Sequence, residues 1–106
     1  IRLDLDMTTG KTTLQCGHGT VGIYRRIWQK NRGLIKSWED CGQPKVVLKL
    51  ESEAELLDVQ AKAKGRGLPT YIVRDKRPDI VNGELQQGNR TAVVTVGPPS
   101  VLQHAV

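Results

Sequence analysis

The chain has 106 residues, a hydrophobic fraction of 38%, a charged fraction of 25% and a net charge of +5. That is one domain's worth of core and an ordinary globular composition, which excludes a disordered chain. No apolar run reaches the ~20 residues of a membrane-spanning helix, so this segment implies no membrane contact. Ile1 to Leu5 alternates like a strand, and a helical pattern runs from about Gly10 to Asn31. Leu14, Gly17, Val21, Tyr24 and Trp28 recur at spacings of three and four and are expected to pack as one face. Gly17, Gly19 and Gly22 each weaken that helix, and close approach to a sheet is the simplest compensation. Gly33 breaks it, and Leu34 to Asp40 forms a short second helix carrying Trp38, read as core packing before base stacking.

Cys41-Gly42-Gln43-Pro44 is turn chemistry, and Lys45 to Leu50 reads as a strand with a buried apolar centre. Ser52 and Glu55 form a capping box that opens a helix to about Lys64, ended by Gly65 and Gly67. Thr70 to Arg74 is a strand, Lys76 to Arg90 a long loop, Thr91 to Val96 a strand, and Pro99 opens a last helix. The alternation predicts an α/β fold with a mixed, mostly parallel sheet of about four strands. In such sheets ligands sit beyond the carboxyl ends of the strands.

Charge is unevenly spread. Lys11, Arg25, Arg26, Lys30, Arg32 and Lys36 come without an acid among them, and Lys62, Lys64, Arg66, Arg74, Lys76 and Arg77 have only Asp75 for company. Two basic blocks fit a polyanionic partner such as a nucleic acid. Cys16 and Cys41 do not form a CxxC pair and are read as reduced thiols.

The stretch "TTGKTTLQCGHGTVG" (Thr8 to Gly22) ends a P-loop only in appearance. The signature needs a glycine where Leu5 stands, and without it the backbone cannot wrap a phosphate. Cys16, His18, Cys41 and His104 match no zinc spacing, and Cys16 and His18 point about 200° apart on a helix. The same separation removes a Cys–His nucleophile pair, so Cys16 is read as a small buried hydrophobe. A stripe of Lys11, Gln15, His18 and Gly22 remains, with the Lys11 cation placed in a first turn where the helix dipole disfavours it.

Gly10-Lys11, Gln15 and His18, then Gly42-Gln43-Pro44-Lys45-Val46-Val47, the capping-box helix, Gly67-Leu68-Pro69, Asp75 at a strand end and Gly97-Pro98 come in this order. The set resembles the archaeal/eukaryotic class of peptidyl-tRNA hydrolases over nearly the whole chain. The resemblance implies a three-layer α/β/α sandwich, usually dimeric, whose domain normally extends further at both ends. Residues 1–106 are therefore read as a single domain trimmed at both ends.

The activity it implies is hydrolysis of the ester between a peptide and the 3′-terminal ribose of tRNA, recycling tRNA from aborted translation, with no cofactor or metal. The catalytic residues it implies are Lys11, Gln15, Asp75 and Thr91, with His18 and Thr95 as further candidates. Arg25, Arg26, Lys30, Arg74, Lys76 and Arg77 would hold tRNA through its phosphates. A cytoplasmic or mitochondrial location follows from the same class. This sequence departs from the pattern in Lys76-Arg77-Pro78 after the aspartate and in a longer loop, and the spacing from Thr91 to Gly97 is one residue longer. The other function on this fold is a non-catalytic RNA- or ribosome-associated module.

Overall fold

The structure is a computed structural model that describes residues 1–75, 79–81, 84–86 and 88–97. Helix α1 (Thr9–Trp28) begins where the Thr8 side chain accepts the Lys11 amide. It buries Gln15, Gly19, Ile23 and Ile27, a run at spacing four. This is not the face expected from the sequence. Leu14, Val21 and Trp28 remain 55%, 58% and 42% exposed. The reason is backbone approach. A β-carbon on Gly19 would lie 2.5 Å from Val94 Cγ2, and one on Gly22 would lie 2.3 Å from the Tyr71 ring. The glycine face is therefore the one that reaches the strands. Gly17 has nothing within 4 Å of such a carbon, so packing within the chain does not offset its cost of about 1 kcal/mol.

Helix α2 spans Arg32–Asp40, capped by the Asn31 side chain on the Leu34 amide. Gly33 therefore sits inside its first turn rather than ending α1. Ile35 packs with Ile23 and Ile27. Gly42 (φ +88°) ends α2, with the Gln43 amide donating to Trp38 O and the Gly42 amide to Glu39 O. This is a Schellman motif. Helix α3 (Glu53–Gly65) opens on Ser52, whose hydroxyl accepts the Glu55 amide, and buries Leu56 and Ala63 completely. The same motif closes it at Gly67 (φ +74°), with Leu68 N donating to Ala63 O and Gly67 N to Lys64 O.

Strand β1 (Thr70–Arg74) pairs antiparallel with β4 (Arg90–Thr95), and β2 (Asp79–Val81) pairs antiparallel with β3 (Glu84–Gln86). The mostly parallel sheet is thus corrected. Parallel pairing among the described residues is one bridge, Arg2 with Leu50. The loop expected from Lys76 to Arg90 contains the β2–β3 hairpin, and Asn82-Gly83 is the sequence signal for it. The last helix, from Pro99, lies outside the described residues.

The two remaining expected strands are rudimentary. Leu3 N donates to Leu50 O, Leu50 N to Ile1 O and Ile1 N to Leu48 O, and Arg2 N reaches Thr91 O. Residues 45–47 form no ladder among the described residues, and Val46, Val47 and Leu48 are exposed. The buried strand read from "KVVLKL" is corrected accordingly, because burial of its apolar residues requires a partner backbone and only Leu48 and Leu50 meet one.

Two clusters make the core. Ile1, Val73 and Ala92 gather Met7, Cys16, Tyr71 and Val94, while Ile23, Ile27 and Ile35 gather Leu34 and Val96. Both lie between α1 and the β1–β4 pair. On α3, the Gln60 amide reaches the Thr70 hydroxyl at 3.4 Å. Thr70 and Tyr71 are adjacent in a strand, so α3 and α1 meet side chains that alternate to opposite faces.

Candidate active site

The site lies where the first turns of α1 pass the end of β1 and the beginning of β4. Lys11 and Gln15 are four apart, hence stacked on one helix face. Lys11 Nζ makes an ion pair with Asp75 Oδ2 at 2.7 Å, with side chains 39% and 21% exposed. Below this pair the Thr91 hydroxyl donates to Gln15 Oε1 at 2.9 Å, and it lies 3.3 Å from Val73 O. Thr91 and Gln15 are buried, so the arrangement is a half-exposed ion pair over a dry hydroxyl–amide pair.

A backbone irregularity delivers Thr91. The register runs Val73↔Ala92 and then Arg74↔Arg90, so Thr91 is the extra residue of a β-bulge. Ala92 packs with Val73 in the cluster that gathers Cys16 of α1. In a regular strand its neighbour Thr91 would face away, and the bulge re-aims it at Gln15.

Asp75 is held by its backbone. Its amide donates to Asn89 O at 2.9 Å, and a β-carbon on Gly88 would lie 1.7 Å from its carbonyl oxygen. Gly88 is the residue of this site that sequence reasoning missed. Its only signal was a glycine three positions before Thr91.

With its oxygen engaged by Thr91, the Gln15 amide keeps an NH₂ group that no hydrogen bond to a described residue uses. A cation, a carboxylate and an amide thus lie together where α1 passes the end of β1. The two other candidates lie elsewhere. His18 is on the exposed side of α1. Thr95 donates to Pro69 O at 2.9 Å and pairs with Thr70 at the far end of β4, about 13 Å from Thr91 at strand rise.

Among the six residues expected to hold tRNA, Arg25, Lys30 and Arg74 are exposed. Arg26 donates to Thr70 O at 2.6 Å and lies over the Tyr71 ring. Arg26, Lys30 and Lys64 share an open cleft of about 590 Å³. It lies roughly 22 Å along α1 from Lys11, counting 1.5 Å per residue. Lys76 and Arg77 lie outside the described residues.

Cys16 and Cys41 are free thiols, and Cys16 packs against the first core cluster as a small hydrophobe. No group of three or more His, Cys, Asp or Glu among the described residues is placed to hold a metal. Trp38 is half-buried, its indole donates to Pro44 O, and its ring meets Tyr24 and the Lys45 ammonium. Among the described residues no helix is long and apolar enough to cross a membrane.

Comparison with known proteins gives the same order of features a lineage. The family model described as Peptidyl-tRNA hydrolase PTH2 matches residues 1–104. A probable peptidyl-tRNA hydrolase 2 of Drosophila melanogaster is 40% identical over 99 residues, covering 92% of this chain and 50% of that protein. The mitochondrial peptidyl-tRNA hydrolase 2 of Homo sapiens is 38% identical over 98 residues, covering 92% of this chain and 52% of that protein. The peptidyl-tRNA hydrolase of Methanocaldococcus jannaschii is 40% identical over 98 residues, covering 92% and 81%. The chain spans about half the length of the animal relatives it matches. With a family match from the first residue almost to the last, and with relatives from animals and an archaeon, this chain belongs to the peptidyl-tRNA hydrolase PTH2 family.

Proposed function

We propose that the domain hydrolyses the ester joining a peptide to the 3′-terminal ribose of tRNA, with Lys11, Gln15 and Asp75 in contact with the reacting atoms. The observation that carries this reading is the 2.7 Å Lys11–Asp75 pair set above the Thr91–Gln15 hydrogen bond. The Asp75 carboxylate orients a water and accepts its proton as the oxygen attacks the ester carbon. Negative charge moves to the former carbonyl oxygen, where the Lys11 ammonium and the Gln15 NH₂ group stabilise it. Collapse of the tetrahedral intermediate breaks the bond to the ribose oxygen. That oxygen takes up a proton, leaving a peptide carboxylate and a free 3′-hydroxyl. Thr91 is a positioning residue in this scheme. Its hydroxyl holds the amide oxygen of Gln15 and so turns the donor end outward.

In the same reading, Arg25, Arg26, Lys30, Arg74, Lys76 and Arg77 grip the phosphates of tRNA without regard to sequence. The domain is a three-layer α/β/α sandwich, supported by α1 and α3 reaching opposite faces of β1. It works as a homodimer in the cytoplasm or the mitochondrion, the latter supported by relatives named mitochondrial.

The test is release of tRNA from an N-blocked aminoacyl-tRNA by the full-length protein. Multiple turnover is expected, and intact substrate at micromolar enzyme overturns the reading in favour of an RNA-binding module. Lys11→Ala and Asp75→Ala are each expected to lower kcat/KM by a factor on the order of 10² or more.

A further inference from the structure

Strand β1 has an edge that runs into the proposed site. Its other edge is taken by β4, and β4 in turn meets Arg2, whose amide donates to Thr91 O. Among the described residues β1 is therefore the outermost strand on that side. Alternation fixes which of its groups face outward. The Asp75 amide points inward, to Asn89 O, whereas the Thr70 carbonyl points outward, where Arg26 Nη1 donates to it at 2.6 Å. Along an antiparallel ladder every second residue turns its N–H and C=O to the same side. Between Thr70 and Asp75, the outward groups are thus those of Ile72 and Arg74. No hydrogen bond to a described residue takes them up. Ile72 is half-buried and Arg74 exposed, so the edge is open.

We propose that this edge binds the peptide of the substrate as an added β-strand, parallel to β1, with its esterified end beside Asp75. The placement rests on the proposed hydrolysis at Asp75 and supplies the acyl side of that site. Direction follows from where the reacting group lies. Asp75 follows the last residue of β1, so a peptide esterified there and lying along the edge has its N-terminus toward Thr70. In parallel pairing each outward residue donates to one peptide group and accepts from another two residues on, so Ile72 and Arg74 offer about four hydrogen bonds to about five peptide residues. With the esterified residue opposite Asp75, the first and third residues from the ester turn their N–H groups to Arg74 O and Ile72 O. Main-chain bonding suits this substrate, because a peptide abandoned in translation can have any sequence and an added strand is held by groups that every residue carries.

A second copy of this chain fits the edge poorly. With Thr70 O taken by Arg26, the outward residues left are Ile72 and Arg74, a stretch shorter than an ordinary strand of about five or six residues. A copy paired there would also lie across the approach to Asp75. Apolar surface open to a second copy lies elsewhere, at Leu14, Val21 and Trp28 of α1 and at Val46 and Val47.

The experiment measures kcat and KM of the full-length protein on tRNA carrying acetyl-alanine or acetyl-pentaalanine, and on pentaalanyl substrates N-methylated at the third or the fourth residue from the ester. The longer peptide is expected to lower KM by about fivefold or more at similar kcat. Successive N–H groups of a strand face opposite ways, so a methyl group on the third is expected to remove that gain and one on the fourth to leave KM within about twofold. Ile72→Pro removes an outward donor at an edge position, where proline is tolerated. It is expected to raise KM for the pentaalanyl substrate and to leave hydrolysis of acetyl-alanyl-tRNA unaltered. The methylated substrates carry the test in the unaltered protein, whatever the proline does to folding. Equal KM for the two lengths, equal effects of the two methyl groups, or an effect of the fourth alone overturns the added strand. Turnover of acetyl-alanyl-tRNA in the same series shows separately whether the hydrolase reading stands. Conversion of a dimer to a monomer by Ile72→Pro assigns the edge to a second copy instead.

Discussion

The Thr91 hydroxyl and the Gln15 amide oxygen, 76 positions apart in sequence, meet at 2.9 Å between two buried side chains. Thr91→Val keeps the shape and removes the donor, which leaves a buried acceptor unsatisfied. Unfolding by urea is expected to show a loss of about 1–3 kcal/mol. Turnover should fall with it, since nothing then orients the Gln15 donors. Thr91→Ser is expected to recover both. If the serine variant recovers stability but not turnover, the amide is not a catalytic donor.

Gly88 bears on Asp75 differently, through the backbone. Gly88→Ala places a methyl group where the Asp75 carbonyl lies and must displace it. A shifted carboxylate affects the chemical step more than binding. The expected result is a fall in kcat of tenfold or more with KM within about twofold. A change confined to KM would separate Asp75 from the chemistry.

The helix glycines give opposite expectations on one element. Gly17→Ala fills empty space and removes a helix penalty, so stability is expected to rise by about 1 kcal/mol. Gly22→Ala drives a methyl into the Tyr71 ring and is expected to cost about 1–3 kcal/mol. Thermal denaturation of the two variants decides whether α1 lies on the sheet by the face described.

A carboxylate near the beginning of the chain sets a pH dependence. The Arg2 guanidinium, hydrogen-bonded to Asp4 at 2.6 and 2.9 Å, holds the Asp4 carboxyl below the usual carboxylate range. A carboxyl depressed in the folded state contributes its stability in full above the unfolded value of about 3.9, and loses it as pH falls through the lower folded value. The stability difference between the protein and Asp4→Asn is therefore expected to be constant above about pH 5 and to shrink on acidification. Denaturant titrations across that range measure it.

Much of this was legible in the chain itself. Ser52, Gly42 and Gly67 announce turns and helix ends by their chemistry, and each does so in the structure. The gathering of Lys11, Gln15, Asp75 and Thr91 followed from a resemblance in the order of short motifs. The orientation of α1 was not legible. Its sequence holds two stripes able to pack, and hydrophobicity favours Leu14, Val21 and Trp28, whereas the observed contact favours the stripe whose glycines let backbones approach. "KVVLKL" reads as buried because apolar alternation says nothing about whether a partner strand is present. Thr91 and Thr95 are indistinguishable by spacing, because a bulge shifts strand alternation by one and leaves only its extra residue in the sequence.

That extra residue makes the strand intolerant of length change in one place. Deleting Arg90 would set Thr91 opposite Arg74, let β4 pair with β1 without interruption and turn the threonine toward α3. A perfect ladder and a threonine facing Gln15 are mutually exclusive here, so drift in chain length along this strand selects between a smoother sheet and an oriented amide.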